Sequence, residues 1–162
     1  VTEANLGDGP FNGPAWLSAG GQFGIGSDSN VRISLTEELR TLEYSQRQRD
    51  LSRNVMTCGD GSVGQAIYLA AARGGAQALG RKSGMIAEGC LADLVAVDPS
   101  HPSLCALQPH QLLDGLAFAA PDGVVTDVWS AGRHMVRRGH HVAHDRIVGA
   151  WRRVVRNLVG TL

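Results

Sequence analysis

The sequence has few cysteines, few aromatic residues and no excess of either charge, and each shortage excludes a class of protein. Its three cysteines, Cys58, Cys90 and Cys105, are widely spaced and odd in number, so they predict free thiols in a reducing, cytoplasmic compartment. Lysine plus arginine and aspartate plus glutamate each number 15, which gives no electrostatic reason to bind nucleic acid or an acidic membrane surface. No run approaches the roughly 20 apolar residues of a transmembrane helix.

The sequence does contain enough apolar residues for one modest core. Hydrophobic residues make up 43% of the 162 positions, which suits a single domain with a smaller appendage. No basic segment followed by an apolar run predicts a secretory signal. The chain begins at Val1 without a methionine, and we therefore expect a piece of a larger protein.

The N-terminal half predicts loops and helices in alternation. Residues 1–14 are rich in Gly, Asp, Asn and Pro and predict a loop. Residues 34–37 and 62–65 both have the spacing of a capping box, a hydroxyl followed three residues later by Glu or Gln, and each predicts the start of a helix. The second helix is expected to falter at residues 74–75 and to end by Gly80.

The C-terminal half predicts a small antiparallel sheet followed by a helix. Residues 92–98, 124–129 and 134–136 have the composition of strands. Apolar side chains at helical spacing over residues 147–158 predict an amphipathic helix whose arginines form a solvated face. Asp145 is expected to cap this helix.

Asp28 is the residue whose position most suggests chemistry. Residues 22–26 form an apolar, glycine-spaced stretch that ends abruptly in Ser27, Asp28 and Ser29. This pattern predicts a buried parallel strand that delivers a carboxylate at its C-terminal tip, where the active-site face of an α/β barrel lies. The structural alternative is that Asp28 only caps the next helix or closes a turn.

Motifs in both halves resemble one family of enzymes. Residues 84–98 and 128–136 are similar to the segments that lead from the barrel of amidohydrolase-superfamily enzymes through their small β-sandwich. Residues 2–9 (TEANLGDG), 24–29 (GIGSDS) and 31–44 closely resemble the formimidoylglutamate deiminases of that superfamily. The first of these strings is specific to that family, whereas the Gly-x-x-Ala-Asp-Leu-Val element at 89–95 is common across the superfamily.

The resemblance implies an α/β fold and a hydrolytic activity. Residues 1–80 would form the last βα unit of a (β/α)8 barrel, and residues 81–162 part of the β-sandwich with a closing C-terminal amphipathic helix. The implied enzyme hydrolyses N-formimidoyl-L-glutamate to N-formyl-L-glutamate and ammonia in histidine degradation.

The resemblance also implies a metal centre. Enzymes of the superfamily hold zinc or another divalent metal with several histidines and one aspartate, and Asp28 matches that aspartate. It would serve both as metal ligand and as general acid/base. Residues on the same barrel face that would contact the substrate, or only shape the turns, are Thr2, Glu3, Asn5, Ser27 and Ser29.

Two departures from the family pattern bear on activity. Asn30 stands where the family commonly has a histidine, and asparagine neither titrates near neutrality nor serves as an ordinary metal ligand. No His-x-His pair occurs, and no histidine precedes Asp28, so the remaining metal ligands are missing and the chain alone should be inactive. The cluster of His140, His141 and His144 predicts ordinary surface histidines rather than a second metal site.

Three hypotheses about function follow. The chain is the C-terminal part of a formimidoylglutamate deiminase, the same part of a related deaminase with another substrate, or a non-catalytic remnant that self-associates. The expected partners are a small-molecule substrate and either further copies of the chain or the missing N-terminal part, because an isolated barrel strand leaves unpaired edges.

Overall fold

The computed structural model of the chain describes residues 1–29, 32–57 and 61–160. Cys58 and Asn30, both considered above, lie outside the described residues, whereas Cys90 and Cys105 are free thiols. Helices and strands are both present, which confirms a mixed α/β composition. In chain order the elements are α1 (Thr2–Leu6), α2 (Gly13–Ser18), α3 (Leu35–Asp50), α4 (Val63–Ala78), β1 (Leu94–Val97), α5 (Leu112–Asp114), β2 (Val125–Ser130), β3 (Arg133–Arg137), β4 (His140–His141) and α6 (His144–Val159).

Helices α3 and α4 begin where the capping patterns predicted. The hydroxyl of Ser34 accepts a hydrogen bond from the backbone N–H of Glu37 at 3.2 Å, and that of Ser62 accepts one from Gln65 at 3.2 Å. Each bond satisfies an amide of the first turn that has no partner within its helix. Both predicted helix starts are confirmed.

The main core lies between α3, α4 and residues 115–119, a helical turn that continues α5. Arg40 of α3 donates from Nε to the carbonyl oxygen of Ala117 at 2.9 Å, which ties the turn to the helix. Phe23 and Ile25 are partly buried against this core. Its buried members are Leu39, Met56, Val63, Ile67, Ala71 and Ala117.

Residues 22–26 are not a strand in the structure, so that prediction is wrong as stated. Side-chain burial nevertheless alternates residue by residue from 21 to 28, which is the two-residue period of an extended chain. The sheet formed by the described residues contains β1 to β4 only, and none of these pairs with residues 22–26. The segment therefore has the side-chain pattern of a strand without the hydrogen-bonded neighbour that defines one.

The glycine pair at residues 74–75 does not interrupt α4, which is continuous from Val63 to Ala78, so the predicted faltering is wrong. A Cβ on Gly74 would lie 2.6 Å from the carbonyl carbon of Phe23, and one on Gly24 would lie 3.0 Å from Cα of Gly75. The glycines thus let the extended segment lie directly on the helix backbone. The expected end of the helix is confirmed, since Gly80 has a φ of 61°.

The prediction of a loop over residues 1–14 is correct only in the middle. Residues 2–6 form α1, which ends at Gly7 with a φ of 78°, and α2 begins at Gly13. The side chain of Asn12 accepts a hydrogen bond from Ala15 N–H at 3.3 Å and so caps α2. A glycine at the end of one helix and an asparagine at the start of the next are helix boundary signals that also occur in loops.

The predicted antiparallel sheet is confirmed, with strand order β1-β2-β3-β4 and antiparallel pairing throughout. The short strand β4 was not anticipated. Asp93, the residue before β1, accepts a hydrogen bond from Ala131 N–H at 2.7 Å, and its Oδ2 lies 3.1 Å from Nη2 of Arg81. Asp93 thereby joins the segment that follows α4 to the β2–β3 turn.

Replacing Asp93 by asparagine is expected to lower the melting temperature near neutral pH but not in acid. The Ala131 N–H, and after it the Arg81 guanidinium, lower the pKa of Asp93 below its ordinary value. A carboxyl group whose pKa is lower in the folded state stabilises that state above its unfolded pKa of about 3.9, and the effect is lost as the pH falls through the folded pKa. Melting temperatures of both proteins should therefore converge below about pH 4. A gap of constant size across the titration would contradict this.

Helix α6 is the predicted C-terminal helix, but Asp145 does not cap it. The helix begins one residue earlier, at His144, with Ala143 at the cap position, so Asp145 lies inside the first turn. There its negative charge interacts favourably with the positive end of the helix dipole. The apolar face is exposed rather than packed, with Ile147, Trp151 and Leu158 between 49% and 64% accessible. Within the described ranges, no helix has the length and hydropathy needed to cross a membrane.

Candidate functional site

Asp28 lies in a turn that directly follows the extended residues 22–26. Its backbone φ is 45°, in the left-handed region, which costs a residue with a Cβ roughly 1–2 kcal/mol but which Asp tolerates better than most. Ser34 is the cap of α3, so Asp28 closes a turn and does not cap that helix. Its side chain is exposed, and the carboxylate is therefore accessible to a ligand.

A hydrogen bond joins α1 to this turn. The hydroxyl of Thr2 donates to the carbonyl oxygen of Ser27 at 3.0 Å, and Thr2 is 8% exposed. The main-chain nitrogen of Val1 donates to Oε2 of Glu38 at 2.8 Å, which fixes the start of α1 against α3. The structure thus brings together two of the residues expected at the site, Thr2 and Ser27, beside Asp28.

The other expected site residues are exposed. Glu3 and Asn5 lie on α1, and Ser29 follows Asp28 in the turn. Backbone hydrogen bonding within Glu3 lowers the pKa of its carboxyl group below the ordinary value. Asn5 N–H donates to the carbonyl oxygen of Val1 at 3.0 Å, so the backbone of Asn5 belongs to a helical turn rather than to the loop that was expected.

A groove of about 800 Å³ lies between the extended residues 22–26 and the helices α1, α2 and α3. It is lined by Gly26, Glu3 and the buried Glu38, but not by Asp28. Glu38 is 7% exposed, and its Oε1 has no hydrogen-bond partner among the described residues. Nothing in the sequence distinguishes Glu38, because two acidic residues in the first turn of a helix are explained by the helix dipole alone.

Glu43, which was also missed, is a structural carboxylate. It is fully buried and accepts hydrogen bonds from Val55 N–H at 3.1 Å, Met56 N–H at 2.8 Å and Arg47 Nε at 2.6 Å. These bonds hold the chain that follows α3 against the helix. The only sequence signal for this role is the Glu43–Arg47 spacing of four residues, which occurs commonly on exposed helix faces.

The described residues do not by themselves form a metal site. Within residues 1–29, 32–57 and 61–160, no three His, Cys, Asp or Glu side chains come together as a possible metal-binding group. A catalytic zinc ion normally has three protein ligands, so a single carboxylate at Asp28 does not fit it alone. Any metal at Asp28 would need ligands from beyond these residues.

The histidines near the C-terminus are engaged in local contacts. The rings of His140 and His144 meet edge to face at 5.8 Å, and His141 Nδ1 accepts a hydrogen bond from Ala143 N–H at 3.1 Å. Nε2 of His134 lies 2.7 Å from Oδ1 of Asp127, and the His134 ring stacks on the Trp129 ring. Hydrogen bonding from His134 is the main cause that lowers the pKa of Asp127 below its ordinary value.

Comparison with known proteins shows which proteins this chain resembles in sequence and fold. Over 159 residues the chain is 46% identical to the formimidoylglutamate deiminase of Pseudomonas aeruginosa, a match that covers 98% of this chain and 35% of the relative. It is also similar to the solved amidohydrolase from Brucella melitensis, with a TM-score of 0.87 and 42% identity over 98% of this chain and 35% of that one.

A more distant structure carries a metal. An adenosine deaminase from Xanthomonas campestris, solved with bound zinc, matches with a TM-score of 0.76 and 29% identity over 92% of this chain and 34% of that one. The chain therefore spans about a third of the length of each of these three proteins. Residues 3–135 match the model of the amidohydrolase family, and the chain belongs to that family.

Proposed function

We propose that this chain is the C-terminal part of a metal-dependent deiminase that converts N-formimidoyl-L-glutamate to N-formyl-L-glutamate and ammonia in cytoplasmic histidine degradation. The observation that carries the proposal is the 46% identity to the Pseudomonas aeruginosa deiminase over 98% of this chain. That identity exceeds the 29% shared with the adenosine deaminase structure. Because the match covers 35% of the relative, we expect activity only in a longer or assembled protein.

The proposed architecture divides the chain near residue 80. Residues 1–80 would supply the last strand and helices of the barrel. The extended residues 22–26, which pair with no strand in this chain, would become that strand only beside the rest of the barrel. The alternating burial of this segment and its close packing on α4 support the assignment. Residues 81–162 would supply part of a β-sandwich through β1 to β4, together with α6.

In the proposed reaction Asp28 moves a proton. Water adds to the carbon of the protonated formimidoyl group: the C–O bond forms as the C=N π bond opens onto nitrogen, and the Asp28 carboxylate accepts the proton that the water loses. The Asp28 carboxyl group then donates that proton to the departing nitrogen. The C–N bond breaks as the hydroxyl oxygen forms the C=O bond, and the hydroxyl proton leaves with the ammonia as ammonium. The exposed position of Asp28 at the end of an extended segment supports this role.

Asp28 is also proposed as one ligand of a zinc ion or another divalent metal, with the remaining ligands outside the described residues. The zinc in the related adenosine deaminase structure supports this assignment. Around the substrate we propose the exposed residues Glu3, Asn5 and Ser29. Thr2 and Ser27 complete the group of expected site residues. Because they hydrogen-bond to each other, they would shape the turn that carries Asp28 rather than contact the substrate.

Two other functions are supported by particular observations. The similarity to an adenosine deaminase favours a deaminase with another substrate, since the chain spans about a third of its relatives and most substrate-reading residues would lie outside it. The exposed apolar face of α6 favours a non-catalytic module that associates with further copies of itself.

A hybrid enzyme tests the proposal. Residues 1–162 would replace the matching C-terminal portion of the Pseudomonas aeruginosa deiminase, and ammonia release would be measured with N-formimidoyl-L-glutamate and with adenosine, alongside metal content. Turnover of the first substrate with about one bound metal ion supports the proposal. A folded hybrid that turns over only adenosine supports the related deaminase. A folded, metal-loaded hybrid without turnover of either substrate contradicts both.

A further inference from the structure

Thr2 differs from its neighbours on α1 in being buried. It is 8% exposed, whereas Glu3, Ala4, Asn5 and Leu6 are exposed. Its hydroxyl carries one proton, and the structure directs that proton to the carbonyl oxygen of Ser27 at 3.0 Å. A buried hydroxyl already donating to the backbone is poorly placed to contact a substrate.

We propose that Thr2 is a positioning residue that sets the orientation of the Asp28 carboxylate. The carbonyl group of Ser27 and the N–H of Asp28 belong to the same planar peptide unit. Fixing the carbonyl oxygen therefore fixes the plane from which the backbone of Asp28 departs. Asp28 has a φ of 45°, a conformation that a residue with a Cβ leaves readily unless its surroundings hold it.

The far end of this connection is itself fixed. The main-chain nitrogen of Val1 contacts Glu38 Oε2 at 2.8 Å, and Glu38 belongs to α3, whose residues Leu39 and Leu42 pack into the main core. The path from the core to Asp28 therefore runs through Glu38, the first turn of α1 and the Thr2 hydroxyl. Removing the hydroxyl breaks this path at its last step.

The proposal deepens the proposed function and rests on it for the importance of Asp28, but the geometric part can be tested alone. The isolated chain of 162 residues, labelled with ¹⁵N and ¹³C, would be compared with Thr2→Val, which keeps the shape and removes the hydroxyl, and with Thr2→Ser, which keeps the hydroxyl. We expect Thr2→Val to shift the Ser27 carbonyl carbon and to shift or broaden the Asp28 and Ser29 amide resonances. Thr2→Ser should restore them, and the resonances of β1 to β3 should stay in place in both.

Unchanged Asp28 and Ser29 resonances in a folded Thr2→Val chain would overturn the proposal. If Thr2→Val does not fold, the unsubstituted chain provides the test. In mixed H₂O and D₂O the Ser27 carbonyl carbon should show two isotope splittings, one from its own peptide N–H, that of Asp28, and a second from the Thr2 hydroxyl, and absence of the second splitting would equally overturn the proposal.

The hybrid enzyme separates positioning from substrate contact. A displaced carboxylate should lower kcat about 10- to 100-fold in Thr2→Val, because displacements of about 1 Å in an active site have effects of this size. KM should stay within about twofold, since uniform substrate binding is unaffected, and Thr2→Ser should recover kcat. A raised KM with unchanged kcat would make Thr2 a substrate contact and overturn the proposal. If Thr2→Val moves the turn but Asp28→Asn leaves turnover intact, Thr2 positions the turn and the proposed function fails.

Discussion

Replacement of Asp28 by asparagine is expected to lower kcat of the hybrid deiminase on the order of 10²–10⁴-fold, the range that a positioned general acid/base contributes. Asparagine keeps the size of the side chain and still forms hydrogen bonds, but its amide cannot take up the proton of the attacking water. The turn should survive the change, because asparagine also tolerates a positive φ. Steady-state release of ammonia from N-formimidoyl-L-glutamate, with the metal content of each preparation, measures the effect.

Asp145→Asn is the matched control for this substitution. Asp145 is an exposed acidic residue in the first turn of α6, beyond the residues that match the family model, so the same chemical change there alters the net charge equally without touching the turn. Its kcat should remain within about twofold of that of the unsubstituted hybrid, as is usual for an exposed position away from the site. Equal losses in the two variants would mean that charge, rather than the Asp28 carboxylate, is responsible.

Helix starts in this chain were predictable because their signals are local. Ser34 and Ser62 each bond an amide three residues ahead, so the full interaction is contained in four consecutive residues. The same holds for the strands around residues 94–97 and 125–130, whose composition and flanking turns are local properties. Element boundaries that depend on contacts distant in sequence could not be obtained in this way.

The extended segment shows what local signals leave out. Its composition predicted a strand at residues 22–26, and the structure preserves the alternating burial but not the pairing. A hydrogen-bonded ladder depends on a neighbouring strand that the segment's own sequence does not specify. For the same reason the sequence wrongly predicted a break in α4 at residues 74–75. The missing side chains there allow residues 23–24 to pack on the helix backbone, a contact that the local sequence does not reveal.

The candidate site divides along the same line. Asp28 was identifiable because a carboxylate directly after an apolar, glycine-spaced stretch is a local pattern. The hydrogen bond from Thr2 to Ser27 spans 25 residues, and the contact of Glu38 with Val1 spans 37. Neither contact is associated with a periodicity or motif from which the sequence could predict it. The residue proposed to do chemistry was therefore predictable, but the residues that hold it in place were not.

Gly74→Ala is expected to destabilise the chain by about 1–3 kcal/mol, the usual cost of overpacking a close contact. A Cβ at this position would overlap the backbone of Phe23, with its carbonyl carbon at 2.6 Å and its nitrogen at 2.9 Å. Backbone atoms cannot rotate away as a side chain can, so residues 22–26 must move off α4. The higher helix propensity of alanine, up to about 1 kcal/mol, offsets only part of the cost. Urea unfolding measures the change in free energy.

The neighbouring Gly75 supplies the control, because a Cβ there would meet no atom within 4 Å. Gly75→Ala should therefore show only the helix-propensity gain and stabilise the chain by up to about 1 kcal/mol. Opposite signs at adjacent positions of one helix would establish that residues 22–26 lie on Gly74, since propensity alone gives both substitutions the same sign. Because this contact supports the segment that ends in Asp28, Gly74→Ala in the hybrid should also reduce turnover, whereas Gly75→Ala should not. Equal stabilisation by both alanines would place residues 22–26 elsewhere and remove the structural support for Asp28 as the reactive carboxylate.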